Sequence, residues 1–435
     1  MMQYHALLLA VHAKTLREKP MISIFTASHD TKFLHRAEWS LIEQTEQDWE
    51  WIVLLNGPAI EQDWERSDHR VIVLHSKQTD NIGALKKEAV EHCKGDILVE
   101  LDHDDELAPD ALEKLLWAFR IDPSISLVYS DTAHIDEDSK PEMSQFSADH
   151  GWFYYTEGEY KAASSFEPFP HNVSYIWYAP NHLRAFRATA YDAVGGYDAS
   201  LSVLDDQDLM ARLYQYGEFY HLPYCLYFQR VHTGNTQRDP EKNARIQIET
   251  QTMYHKTIEP NALAWAKRRG LLALDLGAFH NRRDGYLGVD VKSGDNVDYV
   301  SDFLDLDLPN NSVGVIRAVD FLEHTPDRIR VMEKIWNLLA HGGMLLSDTP
   351  SSDGRGAFQD PTHISYWNEN SFWYFTDPNY QKYVDTEADF HSSLCYTYFP
   401  SEFHQVRQIP YVRANLVAMK NYAARLHPFG GLRHI

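Results

Sequence analysis

Short apolar runs, polar turn residues and amphipathic stretches alternate along the first half of the chain. Residues 21–25 (MISIF) read as a strand, followed by the polar turn Thr26-Ala27-Ser28-His29-Asp30. Residues 33–44 carry Leu34, Ala37, Leu41 and Ile42 at helical spacing. A second strand is predicted over 51–55 (WIVLL), closed by Asn56-Gly57-Pro58, and a third over 70–75. Asn81-Ile82-Gly83 opens a helix over 84–92. The run 97–101 is apolar with one acid in it, and a helical pattern follows over 111–119. Strands alternating with helices, with polar tips at the strands' carboxyl ends, predict a mostly parallel, doubly wound sheet. Residues 239–266 read as helix through Ile246, Ile248, Met253 and Tyr254, with a break at Pro260. At Leu271 the pattern restarts. Strands are predicted up to Gly277, over 286–291, over 296–300 leading to Asp302, over 314–319, over 344–347 and over 411–419. An amphipathic helix over 327–339 ends at His341-Gly342-Gly343. The fold class is α/β, with two doubly wound domains. The expected boundaries are an extension over 1–20, a first domain over 21–238, a helical linker over 239–270 and a second domain over 271–435.

The strand over 97–101 ends in Asp102-His103-Asp104-Asp105, three carboxylates in four residues. Open α/β sheets bind ligands at this end of their strands. Like charges so close repel unless a cation sits among them. A divalent ion with oxygen ligands, Mg²⁺ or Mn²⁺, would relieve that cost and could grip a diphosphate. The alternative is a solvated acidic turn before a helix N-terminus, where aspartate is favourable in any case.

Bulk properties narrow the options. A chain of 435 residues is too long for one core. The net charge of −23 disfavours nucleic acid or an anionic membrane as main partner. Cys93, Cys225 and Cys395 lie far apart with no metal-ligand spacing, which suits a reducing, cytoplasmic setting. No apolar run reaches the length of a membrane span. Residues 6–11 are apolar, but Lys14, Arg17 and Lys19 follow them, the reverse of a signal peptide. There is neither a GxGxxG turn nor a Walker lysine loop.

The blocks ISIFTASHD, QTEQDWEWIVLLNG, NIGALKKEAV, the DHDD acids, NHLRAFRATAYDAVGGYDASLSVLDDQDLMARL and RVHTGNTQ make residues 21–236 resemble family 2 glycosyltransferases of the GT-A fold. The resemblance implies inverting transfer of a sugar from a nucleotide donor, a UDP-sugar being favoured, to a hydroxyl of a glycan or other acceptor. Asp102 and Asp104 would bind the diphosphate through a divalent metal. His232 would be a third metal ligand or a phosphate contact, or else a hydrogen-bonded structural histidine. In Asp205-Asp206-Gln207-Asp208, Asp206 matches the family's catalytic base best and Asp205 is the neighbouring candidate. The family's commoner first acid here is Glu, and the other reading of both is capping of a helix. Ala27, Ser28 and Asp30 would lie beside the base and ribose. Asn56 stands where the family often has an acid; it can hydrogen-bond uracil but brings no charge. Lys86 would reach the phosphates or else lie on a solvated helix face. Trp152, Phe153, Tyr154, Tyr155, Trp177 and Tyr178 form either an acceptor platform or a satellite core, and residues 151–170 are expected to be a flexible lid.

The second half resembles the class I S-adenosylmethionine-dependent methyltransferase fold, through LDLG, GYLGVDV, DLDLPNNSVGVIRAVDFLEH, LLAHGGMLL and DPTHISYWNENSFWYF. Asp275, Gly277, Asp290 and Asp302 would then bind S-adenosylmethionine. Asp290 would accept from the ribose hydroxyls, Gly277 would allow close backbone approach, and Asp302 or Phe303 would lie near adenine. The sequence departs from the family at Phe279, where a bare backbone is usual. A degenerate scaffold that binds no cofactor is the alternative. Glu323, His324, Asp360 and His363 would contact an acceptor or cap loops; a metal site from His324, His363 and nearby acids is a further alternative, which their spacing does not support. The combined expectation is a glycosyltransferase whose appended domain methylates the glycan. Its rivals are a methyltransferase with a sugar-binding first half and a non-catalytic glycan-binding scaffold.

Overall fold

A computed structural model describes residues 20–62, 64–79, 81–143, 148, 151–234 and 240–420. The extension before residue 20 and the Asn235-Thr236-Gln237 tail of the RVHTGNTQ block lie outside the described residues. Internal contacts divide the chain into two compact units. The first ends at Met253 and the second begins at Tyr254, with residues 146–153 and 169–174 counted in the second.

The first unit runs β1 (Ile22–Ser28), α1 (Leu34–Ile42), β2 (Trp49–Leu55), β3 (Val71–His75), α2 (Ile82–Glu91), β4 (Ile97–Glu100), β5 (Glu106–Leu107), α3 (Ala111–Ile121), β6 (Ile125–Ile135), β7 (Phe153–Glu157), β8 (Tyr160–Ser164), β9 (Arg184–Arg187), α4 (Asp205–Tyr216) and β10 (Glu218–Arg230). The sheet order is β3-β2-β1-β4-β9-β6-β10-β5, with β8 paired to both β6 and β7. The strands β3, β2, β1 and β4 are mutually parallel, and β9 is antiparallel to β4 and β6. The two central runs are buried along their whole length, as expected for strands covered on both faces. Ile22, Ile24, Trp51, Val53 and Val99 pack with Leu34, Ala37 and Leu41 of α1 and Leu112 and Leu115 of α3 in one core. Because β1, β2 and β4 run the same way, Ser28, Asn56 and Asp102 fall at one edge of the sheet.

The stretch expected to be a flexible lid is instead the β7–β8 hairpin, tied to β6 through Thr132↔Ala163 and Ala133↔Ala162. Ala162 and Ala163 are buried, and the Tyr129 hydroxyl donates to the Phe166 carbonyl. Apolar burial and strand pairing anchor it.

Helix α5 (Pro240–Arg268) follows. It does not break at Pro260, contrary to the sequence reading. Ile258, Ala262, Trp265 and Ala266 on either side of the proline are buried, and that packing holds the helix across the missing N–H.

The second unit contains β11 (Leu272–Leu276), β12 (Leu287–Asp290), β13 (Tyr299–Val300), β14 (Val313–Val319), α6 (Arg328–Leu338), β15 (Leu339–Pro350), α7 (Glu369–Thr376), β16 (Phe390–Tyr398) and β17 (Tyr411–Ala418). The order is β13-β12-β11-β14-β15-β17-β16, parallel from β13 to β15 with β17 antiparallel to both neighbours. Strand order reverses between β11 and β14, so the crevice where such sheets bind ligands opens beyond Gly277 and Asp320. The alternation of short strand and polar turn was sufficient to place all of these parallel strands.

Candidate active site

The acids after β4 divide three ways. Asp105 is buried and its Oδ1 accepts from the Arg230 N–H at 2.7 Å. Burial, with Asp104 and Asp102 beside it, raises its pKa well above the usual carboxylate range. Asp104 meets His232, Oδ2 to Nε2 at 2.7 Å. Burial opposes its ionisation, yet the His232 hydrogen bond and the neighbouring His103 hold its pKa below normal. Asp102 is more open, with 40% of its side chain exposed, and its Oδ2 lies 3.3 Å from Nε2 of His182. Its own N–H donates to the Tyr227 hydroxyl. So Asp104 and His232 lie together, an arrangement that fits a metal ligand and a hydrogen-bonded structural histidine alike, while Asp102 is turned toward a residue that sequence reasoning passed over.

The second acidic group reaches the same edge by a route that starts in α2. Asn81 caps this helix by accepting from the Ala84 N–H, and its Nδ2 donates to the Ala199 carbonyl. Gly83 sits against the 198–201 turn. A Cβ there would lie 2.4 Å from the Asp198 carbonyl oxygen. Only glycine lets the helix dock so closely, and the docking brings Lys86 to the start of α4. Lys86 lies 2.5 Å from Glu100 and 3.1 Å from Asp205. It is buried, so it is not part of a solvated face. An unpaired ammonium could not be held there, and the two carboxylates account for its position. Gly83→Ala should destabilise the first unit by about 1–3 kcal/mol through overpacking and should loosen the Lys86–Asp205 pair; thermal unfolding checks the first.

Arg184, opposite Glu100 in the β4–β9 register, completes the group. Its Nε lies 3.1 Å from Glu100 and its Nη1 donates to Asp206 at 2.7 Å. Its Nη2 is 2.9 Å from His182 Nε2. A continuous series of contacts therefore runs from Asp102 through His182 and Arg184 to Asp206. Asp205 and Asp206 do not behave alike. Burial outweighs Lys86 and pushes Asp205 up to about 6. Asp206 also pays a burial penalty, but Arg184 and Lys86 draw its pKa below the usual range and keep it ionised. Its side chain is 24% exposed against 5% for Asp205. Neither is the N-cap, which is Leu204. Glu100, Arg184 and His182 are the site residues the sequence reading did not single out. The one visible signal was a lone acid in an apolar strand.

At the other end of the edge, the Asn56 N–H donates to the Ser28 carbonyl at 2.8 Å, so the two residues are neighbours. The Ser28 hydroxyl donates to the Asp30 carbonyl, and Asp30 Oδ1 accepts from the Lys32 N–H. Ala27 is half-buried beside them. The aromatic stretch splits: Trp152 and Tyr178 are buried, Phe153 is exposed, and the Tyr155 hydroxyl donates to Asp131.

In the second unit Gly277 has φ +76°, and a Cβ there would meet nothing nearer than the Phe321 ring at 3.5 Å. Asp290 accepts from the N–H of Phe279 with Oδ2 and from that of Lys292 with Oδ1. A carboxylate has acceptor capacity beyond two bonds, so these two do not exhaust that of Asp290. Phe279 packs beside Gly294 and leaves the Gly277 turn open. The other two expected cofactor residues also have protein partners. Asp275 is buried, paired with Arg317 at 2.9 Å, and accepts from the Arg283 N–H. Asp302 caps the turn Phe303–Asp305 by accepting from the Leu304 N–H. Glu323 is buried after β14, and burial pushes its carboxyl up to about 8.

Comparison with known proteins accords with this division. Residues 23–180 match the family model Glycosyl transferase family 2, and residues 280–347 match the model Methyltransferase domain. A chondroitin synthase of Escherichia coli is 28% identical over 52% of this chain and 31% of its own length. A hyaluronan synthase of Pasteurella multocida is 24% identical over 53% of this chain and 22% of its own. An uncharacterized glycosyltransferase of Methanocaldococcus jannaschii is 27% identical over 32% of this chain and 52% of its own. The chain thus matches less than a third of either synthase. No described helix is long and apolar enough to cross a membrane.

Proposed function

We propose that this chain, which carries a family 2 glycosyltransferase domain followed by a methyltransferase domain, transfers a sugar from a nucleotide sugar to a glycan hydroxyl with inversion. The observation that carries the reading is the series of contacts from Asp102 through His182 and Arg184 to Asp206 at one sheet edge; on this reading Asp102 would help grip the diphosphate and Asp206 would accept the proton. Ser28, Asp30 and Asn56 would hold the base and ribose, and the neutral Asn56 suits uracil. Asp104 and His232 already face one another and offer the oxygen and imidazole donors that Mn²⁺ accepts; Asp102, which faces His182, would turn to join them when the ion and diphosphate bind. A cation there would neutralise the diphosphate leaving group. Asp206 takes the proton of the acceptor hydroxyl as its oxygen bonds to the anomeric carbon and the bond to the diphosphate breaks. In the second unit Gly277 and Asp290 would hold S-adenosylmethionine, the methyl source for a hydroxyl of the same glycan.

The test is turnover of UDP-sugars, with and without acceptor glycan, in the presence of Mn²⁺. Wild type should require the ion. Asp104→Ala should lose about a hundredfold or more, the scale of several kcal/mol of charge stabilisation. Equal turnover in both proteins would remove the metal from the proposal.

A further inference from the structure

The second unit holds a cluster that the function above does not use. One ligand atom each from Glu323, His324 and His363 lie within 4.8 Å of one another, and among the described residues no other such group converges this closely. Glu323 and His324 belong to the short turn Leu322–His324 just beyond β14. His363 lies in the loop ahead of α7, about forty residues on in the sequence. The backbone binds the two segments together. The Glu323 carbonyl accepts from the N–H groups of Ile364 and Ser365, and the Leu322 carbonyl accepts from the Ser365 hydroxyl and the Trp367 indole. The cluster is therefore set in place before any ligand arrives.

Three further features point to a cation. Glu323 is only 1% exposed, and neither of its carboxylate oxygens has a hydrogen-bond partner. Its own backbone N–H and the Thr349 hydroxyl lie nearby, but neither makes a bond of normal geometry to it. A buried carboxylate left unpaired is costly, and a metal ion is one of the few groups that offsets this. Second, Nδ1 of His324 is 3.1 Å from the Thr362 carbonyl, and Nδ1 of His363 is 3.1 Å from the Ala357 carbonyl. Histidines that bind metals characteristically give one ring N–H to a carbonyl, which fixes the tautomer and frees the other nitrogen. Third, burial is graded from Glu323 through His363 to the exposed His324, so the cluster opens to solvent on one side.

We infer that Glu323, His324 and His363 bind a divalent transition-metal ion and leave coordination positions open to an oxygen ligand. Two imidazoles and one carboxylate suit Zn²⁺, Mn²⁺, Fe²⁺ or Co²⁺ better than Ca²⁺. Three protein ligands with open positions are the pattern of sites that take a further ligand rather than purely structural ones. The Phe321 ring, two residues before Glu323, lies against Gly277. The ion thus belongs at the ligand-binding edge of this sheet. On the methyl-transfer reading, and resting on it, the open positions would receive a sugar hydroxyl or vicinal diol.

Cobalt uptake by the full chain tests the site, followed by visible ligand-field absorption and equilibrium dialysis. The Asp104→Ala background removes the first unit's proposed ion, and S-adenosylmethionine is left out. The result is therefore independent of whether either transfer reaction occurs. The background protein should bind cobalt stoichiometrically. Adding His363→Ala or His324→Ala should reduce bound cobalt to background with unchanged far-ultraviolet circular dichroism. His324 is exposed, so its loss leaves the core intact. Zn²⁺ should raise the thermal midpoint of the background protein and not that of the His324→Ala protein. No uptake by the background protein, or equal uptake after His324→Ala, would overturn the site.

Discussion

Asp206→Asn should lower sugar transfer by about 10²–10⁴-fold, the usual contribution of a positioned base, with donor affinity unchanged. Asp205→Asn should cost far less. Asp205 is nearly inaccessible and faces Lys86, whereas Asp206 is the more exposed of the two and is aimed by Arg184. The pH profile separates them independently. Asp205 has a raised pKa of about 6, so if it were the base the rate would fall as pH dropped through that value. With Asp206 as base the group stays ionised well below that, and the rate should hold into moderately acidic solution. Steady-state rates at saturating donor, for wild type and both variants across pH, make the distinction. A collapse in Asp205→Asn alone would transfer the role to Asp205. The ion pair has a cost as well as a benefit. Arg184 lowers the basicity of Asp206 while fixing where it points, so the site favours geometry over proton affinity.

What could be read from the sequence, and what could not, divides along a physical line. Short apolar runs with polar tips locate parallel strands because burial on both faces demands them, and Ile97–Glu100 was legible for that reason. The acids after it were legible because charge repulsion is local in sequence. The partners were not. Arg184 lies opposite Glu100 only because β9 inserts between β4 and β6, and strand order leaves no trace in a hydrophobic pattern. Lys86 looked like a helix-surface lysine, since the Gly83 contact that drives α2 against the 198–201 turn is a tertiary event. In the second half the same limit applies in reverse. Glu323, His324 and His363 are too far apart in sequence for their spacing to suggest a site, and the loop bonds at Ile364 and Ser365 bring them together. Asp275 and Asp302 were expected to face a cofactor; their pairing with Arg317 and with the Leu304 N–H is tertiary and local geometry that the sequence pattern did not reveal.

Glu100→Gln should destabilise the first unit by about 3–5 kcal/mol, the scale for removing one member of a buried ion pair. Glu100 is the hub: its carboxylate faces Lys86 on one side and Arg184 on the other, with only 3% of its side chain exposed. Removing its charge leaves two buried cations to share Asp205 and Asp206. It also removes the group that keeps Arg184 in place to orient Asp206, so activity should fall together with stability. The pH dependence follows from the direction of the shift. Burial opposes its ionisation, but Arg184 and Lys86 pull the pKa of Glu100 down to about 2 in the folded protein. A depressed carboxylate contributes stability that is complete above its unfolded value and is lost as pH falls toward its folded value. The gap between wild type and Glu100→Gln should therefore be widest near neutral pH and narrow steadily from about pH 4.5 downward. Urea unfolding of both proteins at a series of pH values measures it. A gap that stayed constant down to about pH 3 would mean that Glu100 acts through packing alone, and the charge network would lose its role in holding the catalytic edge together.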